Sequence, residues 1–451
     1  MSNPSHPHPM KEVGRLCPTP LRELIPLESP ESVVSKPPLP SPPRTFLDAS
    51  YILTTHLVPA ASPRSTPDVP LPALPTWTPD KEQWKASVMR TAEEIASTRY
   101  KQWDGELASP GSTKPLWVCA NRYVRKDVLG AEESRGLTLF AAHANGFPKE
   151  IWEPALLKLI EAQQAAQGAY AIDEIWVWEA VNHGDAFLVN AGNLGGMYDW
   201  QDNCRDILQF LMYYLPIDVT ASALPTHLPC HSEALAHHRK TYGHQTRTLI
   251  AIGHSLGGCS ITRAAISVPK LFSSIVLVDP IIRPHPREGP LLSGRTYQYV
   301  IGALQRQNQW SSREEARKRF NESPFFSVWD PAVLDIYLEC GLCDDPNGGV
   351  KLKMPGIHEA LVFSEVMTPY ETWDLVDSLD TSIELKWIVP GKNPPEEAGV
   401  REMLVWRRPE NASNVIIPFA GHLIVQEAPA ALAEEIHSFL QRKYGFPASR
   451  L

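Results

Sequence analysis

From about residue 116 to residue 444 the chain alternates apolar runs with amphipathic stretches, and no other feature constrains its fold as much. Leu116–Val124 (LWVCANRYV), Leu137–Ala144 (LTLFAAHA), Ile172–Val181 (IDEIWVWEAV), Thr248–Ser255 (TLIAIGHS), Phe272–Ile282 (FSSIVLVDPII), Ile383–Gly391 (IELKWIVPG) and Ser413–His422 (SNVIIPFAGH) read as strands. Between or after them Lys149–Ala166, Trp200–Leu215, Leu256–Val268 and Pro429–Tyr444 carry helical spacing. Strands that alternate with helices build βαβ units, so the expectation is an α/β fold with a mostly parallel central sheet and helices on both faces. At 451 residues and 43% hydrophobic, there is enough chain for one elaborated domain or two, with a large core.

The alternation is framed and interrupted. Residues 1–80 hold 19 of the 43 prolines, and segments such as SKPPLPSPPR sustain neither helices nor central strands. Residues 1–49 therefore read as a proline-rich, disordered leader. Residues 50–115 form an N-terminal extension, with a strand at Ser50–Ala60 and a helix at Asp80–Trp103 whose N-cap is Asp80. The core occupies 116–283 and 381–446. The interval 284–380, rich in bulky residues such as Trp310, Phe320, Phe325, Trp329 and Tyr337, reads as a helical lid over the strand ends, where open α/β sheets bind ligands. The competing reading is a second packed helical layer. A further insertion, 217–247, carries His227, His231, His237, His238 and His244. It reads as a polar surface loop rather than a metal site.

A formal charge of −9 excludes the basic face that nucleic acid demands. No apolar run is long enough to cross a bilayer, and the N-terminus has no apolar signal region. The seven cysteines are odd in number and irregular in spacing, which points to a reducing compartment; Cys340-Gly-Leu-Cys343 stands alone as a C-x-x-C and reads as structural. The final residues 447–451 end in Ser449-Arg450-Leu451, close to the Ser-Lys-Leu address read by the peroxisomal import receptor, so that receptor is an expected partner and the peroxisome the expected location. A homodimer is left open.

Gly253-His254-Ser255-Leu256-Gly257 sits between a strand and a helix. That context turns a common G-x-S-x-G pattern into a strained elbow, which lifts a serine hydroxyl to the helix N-terminus and makes Ser255 the candidate nucleophile. Its base has to come from the same end of the sheet. His422 follows the last strand in a small-residue turn, after the serine in chain order, and is the candidate general base and acid. The turn after Ile383–Gly391 lacks Asp, and its Glu396 and Glu397 come late. Asp279 closes the strand after the nucleophile helix and is the preferred third member, with the two glutamates as alternatives. The N–H groups of Leu256 and Phe147 are the expected oxyanion donors. His143, Asn145 and His183 are candidate substrate contacts, or supports for the loops that carry them. Arg283 and Arg287 are candidates for a phosphate-bearing group. No cofactor and no metal is called for.

HANGFPKEIWEP, GHSLGG, VLVDP and FAGHLIVQEAP, in this order, resemble the α/β-hydrolase superfamily, and within it fungal peroxisomal hydrolases of specialised metabolism, of the mycophenolic acid acyl-CoA hydrolase and toxin-biosynthesis type. The likeness runs over about residues 50–451 and includes THLVPAASPRSTP. It implies the α/β-hydrolase fold, an acid on the strand after the nucleophile helix, and hydrolysis of an acyl-CoA thioester or ester of a bulky apolar acid through an acyl-enzyme on Ser255. An acyltransferase or cyclase with the same nucleophile, and a non-catalytic ligand-binding protein on the same fold, remain as alternatives. The proline-rich leader and the histidine-rich insertion depart from the pattern, so the acyl group itself does not carry over.

Overall fold

The computed structural model describes residues 3–7, 21–30, 36–107, 110–128, 136–166, 170–286, 292, 294–392 and 395–445. Arg287, Cys17 and the tail from 446 lie outside them, as do the side chains of residues 395, 396 and 398.

Eight strands make the central sheet: β1 (Tyr51–Pro59), β2 (Trp117–Arg125), β3 (Leu137–Ala142), β4 (Ile172–Glu179), β5 (Thr248–His254), β6 (Ser274–Val278), and, later in the chain, Glu384–Pro390 and Ala412–Ile417. Between these, β7 (Gln309–Trp310), β8 (Leu342–Asp344) and β9 (Val350–Leu352) form a small separate antiparallel sheet, so the last two central strands are β10 and β11. The central order is β1-β2-β4-β3-β5-β6-β10-β11. β1, β2 and β4 pair antiparallel at one edge; β4, β3, β5, β6, β10 and β11 run parallel. The inner strands β3, β5 and β6 are buried on both faces, which is why they read as near-continuous apolar runs rather than alternating ones, whereas the edge strand β11 is mostly half-buried.

One face is covered by the helices Glu153–Ala165 and Pro429–Tyr444, through Leu156, Leu159, Ile160, Leu432, Ile436 and Phe439. The other carries Trp200–Gln209, Leu256–Ser267 and Met367–Leu375, the last through Trp373. The interval expected to be a lid is thus divided. Met367–Leu375 is a core layer. The helices Gly294–Gln305 and Gly356–Phe363 pack instead with the extension helix Lys81–Trp103, through Val88, Ala92, Ile95, Val300, Leu304 and Leu361. Asp80 caps that helix, accepting from the N–H groups of Glu82 and Gln83. The interval is also not purely helical, since it holds β7 to β9.

Two further expectations need correction. The leader's described segments, 3–7, 21–30 and 36–49, are laid against the body. Arg22 pairs with Asp199 at 2.6 Å and Glu371 at 2.6 Å, Arg205 donates to the carbonyls of Ile25 and Pro26, and Arg44 pairs with Glu153 at 2.7 Å. Proline prevents regular structure there but leaves side chains free to dock. The insertion 217–247 is no mere loop either. Glu233–Tyr242 is a helix, and its buried Arg239 donates to the carbonyls of Leu211, Met212 and Leu215, the unsatisfied end of the preceding helix. His227 packs edge-on against Trp117, and His231 bonds the Leu215 carbonyl, so two of the five histidines serve packing.

Candidate active site

Ser255 lies between β5 and its helix at φ 55°, ψ −114°, a conformation that a side-chain-bearing residue rarely adopts. Close approach dictates the glycines around it. A Cβ on Gly253 would sit 2.5 Å from the Gly258 Cα, one on Gly257 2.4 Å from the Ala142 carbonyl oxygen, and one on Gly258 2.7 Å from the Pro280 Cβ. The turn is braced from both sides, with Ser255 N–H donating to the Val278 carbonyl and Gly257 N–H to that of His143.

Three side chains from the ends of β5, β6 and β11 meet here. His422 Nε2 is 3.0 Å from Ser255 Oγ, and His422 Nδ1 is 2.6 Å from Asp279 Oδ2. Ser255 and Asp279 are buried, while the His422 side chain keeps 35% of its surface in solvent. Burial works against the charge of Asp279, but hydrogen bonds from Arg401 and His422 overcome it and hold the carboxyl well below the usual carboxylate range. An ionised Asp279 only accepts, so His422 donates from Nδ1, and its Nε2 lone pair is left to accept the serine proton. His254, the residue between glycine and serine in the motif, donates from Nε2 to the His422 carbonyl at 2.9 Å. Burial and the neighbouring His422 push its pKa down to about 3, so it stays a neutral brace for the loop.

The loop after β3 approaches the same place. Gly146 has φ 90°, and a Cβ there would lie 2.9 Å from Glu359 Oε1. Among the described residues, the N–H groups of Phe147 and Leu256 carry no hydrogen bond. The Phe147 ring is packed by Trp329 and Tyr337, with centroids at 5.5 and 6.0 Å.

His143, Asn145 and His183 hold one another rather than line an opening. His183 Nε2 bonds Asn145 Oδ1 at 3.2 Å, Asn145 Nδ2 donates to the Glu359 carbonyl at 3.2 Å, and Ala180 N–H donates to His143 Nε2 at 3.2 Å. His183 is fully buried and the other two nearly so. Burial drives the pKa of His143 down to about 4 and that of His183 well below its usual value. Of the two readings of His183, substrate contact or loop support, its burial and its bond to Asn145 fit the second, and Asn145 ties the β3 loop to the Gly356–Phe363 helix. Asp185, Glu179 and Cys119 cluster closely enough to suggest a metal, but the Lys149 ammonium lies 2.8 Å from Asp185 and 3.4 Å from Glu179. Lys353 adds a second contact to Asp185 at 2.6 Å. Cations of the protein itself fill that need.

Of the alternative acids, Glu397 is engaged by arginines rather than by His422. Glu397 pairs with Arg401 at 2.9 Å, Arg283 at 3.4 Å, and Arg295. The Glu396 side chain lies outside the described residues. Arg283 is spent on Glu397, and Arg287 is not described. A groove of about 760 Å³ between the leader and the interval 284–380 contains Cys340 and Cys343 in its wall but neither Ser255 nor His422. Its arginines are paired: Arg44 with Glu153 and Glu339, Arg313 with Asp344, and Arg317 with Asp335.

Sequence reading missed Arg401, whose Nε and Nη2 reach both oxygens of Asp279 at 2.6 and 2.7 Å. Its spacing of four from Glu397 signals a helical ion pair, but its contact with Asp279 spans 122 residues and leaves no local trace.

The model of the alpha/beta hydrolase family matches residues 139–435. The peroxisomal membrane protein LPX1 of Saccharomyces cerevisiae is 24% identical over 318 residues, 67% of this chain and 74% of that protein. The type I acyl-CoA thioesterase mpaH of Penicillium roqueforti is 29% identical over 238 residues, half of this chain and 45% of that protein. The abhydrolase domain-containing protein ACTT2 of Alternaria alternata is 37% identical over 99 residues, 34% of its length. The alignments to the thioesterase and to ACTT2 therefore span less than half of those proteins. In three dimensions the chain is similar to the peroxisomal alpha-beta-hydrolase Lpx1 of S. cerevisiae, with TM-score 0.58 and 20% identity over 90% of this chain and 94% of that one.

Proposed function

Because this chain belongs to the alpha/beta hydrolase family, we propose that it is a serine hydrolase cleaving an acyl-CoA thioester or ester of a bulky apolar acid. The observation that carries this reading is the continuous relay Ser255 Oγ, His422 Nε2, His422 Nδ1, Asp279 Oδ2, with contacts of 3.0 and 2.6 Å. In the reaction His422 takes the Ser255 proton as the hydroxyl oxygen attacks the acyl carbonyl. Asp279 balances the imidazolium that forms. The oxyanion lies against the N–H groups of Phe147 and Leu256, one such donor being worth roughly 3 kcal/mol of barrier. The carbonyl re-forms as the bond to the thiolate or alkoxide breaks, and His422 returns the proton to the leaving group. Water, deprotonated by the same imidazole, then releases the acid and restores the serine.

Thioester chemistry is favoured by the similarity to the Penicillium acyl-CoA thioesterase. An apolar acid is favoured by the exposed rings and side chains of Phe419, three residues before His422, and of Phe325 and Val328. The latter two precede Asp330, whose N–H donates to the Gln426 carbonyl and so ties that turn to the segment after His422. The peroxisome is the proposed location, in line with the name of the yeast relative. Among the described residues no helix is long and apolar enough to cross a membrane.

The test is a fluorophosphonate probe together with a panel of acyl-CoA thioesters and esters. Wild type is expected to label and turn over, and Ser255→Ala to do neither. Turnover in isotopically labelled water should place label in the released acid; unlabelled product would mean transfer to another acceptor. A protein that labels at no serine would defeat the proposal.

A further inference from the structure

Residues 67–78 belong to no helix or strand, yet their exposure is regular. Val69, Pro72, Pro75 and Thr78 are covered by the body, while both members of each intervening pair, from Pro70-Leu71 to Thr76-Trp77, are exposed. A repeat of three over residues 69–78 is neither the two of a strand nor the 3.6 of a helix. It is the repeat of a polyproline II rod. Pro70, Pro72, Pro75 and Pro79 favour that rod by fixing their own φ and offering no N–H to a sheet ladder.

The rod is seated on the body. Gly196 N–H donates to the Val69 carbonyl at 2.8 Å, Thr91 Oγ1 to the Ala73 carbonyl at 2.8 Å, and Thr76 N–H to Ser87 Oγ at 2.9 Å. A Cβ on Gly196 would overlap the Pro70 carbonyl oxygen, so only bare backbone lets the rod lie this close. One of its three edges therefore faces the body and two face outward. The first outward edge is Leu71, Leu74 and Trp77, which are 41%, 60% and 73% exposed. At about 3.1 Å of rise per residue, these side chains stand roughly 9 Å apart along one line. The second is Pro70, Ala73, Thr76 and Pro79. Among the described residues the carbonyls of Leu71, Leu74 and Trp77 accept no hydrogen bond. A lone exposed leucine needs no explanation, but three large apolar groups in register on a fixed rod form a built surface.

We propose that residues 70–79 are a docking ridge for a partner protein whose groove is lined by aromatic rings and reads polyproline II segments. Such a groove takes the two outward edges between its rings and donates hydrogen bonds to the carbonyls between them. The three anchors hold the rod in its bound shape beforehand, so docking loses little conformational entropy. The ridge itself carries no charge, and at its C-terminal end the exposed Asp80 and Glu82 outnumber Lys81. The groove that fits is therefore apolar along its length and basic at the end that receives Asp80. A lipid surface does not fit, because the open carbonyls would enter hydrocarbon with no donor to meet them.

The experiment titrates the full-length protein, by calorimetry, against a panel of purified SH3, WW and EVH1 modules. At least one module with a basic side chain at the end of its groove is expected to bind. Trp77→Ala should weaken that complex about tenfold or more and Leu74→Ala by less, with the thermal midpoint of the free protein unmoved because both side chains are mostly exposed. Gly196→Ala lifts the rod from its seat without changing the ridge and should also weaken the complex. Tyr242→Ala, which removes another exposed ring, should not. No binding by any module overturns the inference, as does binding that Trp77→Ala leaves unchanged, for instance through the prolines of the leader. Self-association in sedimentation velocity, or flotation with phosphatidylcholine vesicles, that Trp77→Ala abolishes would assign the ridge to a second copy or to lipid and overturn it too. Binding is read without turnover, so each of these results leaves the proposed function where it stands.

Discussion

At the scale of single residues the site depends on atoms that are missing. Ser255 reaches its elbow conformation because nothing projects from Gly253, Gly257 or Gly258, and the Gly257 position faces the Ala142 carbonyl oxygen at 2.4 Å. Gly257→Ala should therefore push β3 and the nucleophile helix apart. The expected outcome is a loss of about 2–4 kcal/mol of stability, read as a lower urea midpoint, with slower fluorophosphonate labelling of the fraction that folds. Ser255, Asp279 and His422 were legible in the sequence, because each ends a strand or follows one at the same edge of a parallel sheet. His254 and Arg401 were not. One looks like filler inside a motif and the other like half of a helical ion pair, and only the fold brings them to the His422 carbonyl and the Asp279 carboxylate.

At the scale of elements, buried charge knits helices to loops. Asp199 heads the Trp200–Gln209 helix as its N-cap and, with Glu365 and Glu371, surrounds Arg22 from the leader. Burial and the charge of Asp199 push the Glu365 pKa up to about 7, against the pull of Arg22 and Arg99. A folded pKa above the unfolded value of about 4.3 means that the folded protein binds the extra proton between the two. The stability this group contributes is whole below about pH 4.3 and is lost as pH rises through about 7. Glu365→Gln cannot ionise and should escape that loss. Unfolding free energies from urea titrations between pH 4 and 8 are expected to converge on wild type at the acid end and to exceed it by about 1–3 kcal/mol at pH 8. Equal pH slopes for the two proteins would show that Arg22 and Arg99 already offset the charge. The small β7–β9 sheet and the Glu233–Tyr242 helix escaped the sequence reading at this scale. Strands of two and three residues carry no measurable period, and a helix rich in His, Arg and Lys looks like a solvated loop.

For the whole molecule, the described segments of the leader behave as a strap. Arg22 is bound by carboxylates fully removed from solvent, Ser41 donates to Asp185, and Arg44 reaches Glu153 and Glu339. A chain beginning at residue 50 strips those carboxylates of the charged partners that the leader supplies, and its thermal midpoint is expected to fall by roughly 5–10 °C in a calorimetric scan. An unchanged midpoint would mean that the strap is held loosely. The amino-acid sequence by itself determined the α/β class, the succession of strands and helices along the chain, and the three residues brought to one edge of the sheet. Those follow from local periodicity, turn chemistry and the handedness of βαβ units, all written in neighbouring residues. Tertiary structure alone decided that the leader docks, that the expected lid divides between a core layer and a layer shared with the Lys81–Trp103 helix, and that an arginine backs the relay. The lid's division rests on apolar side chains from distant segments packing together, and the other two outcomes on buried charges finding one another across more than a hundred residues, pairings that desolvation forces only once the core has closed around them.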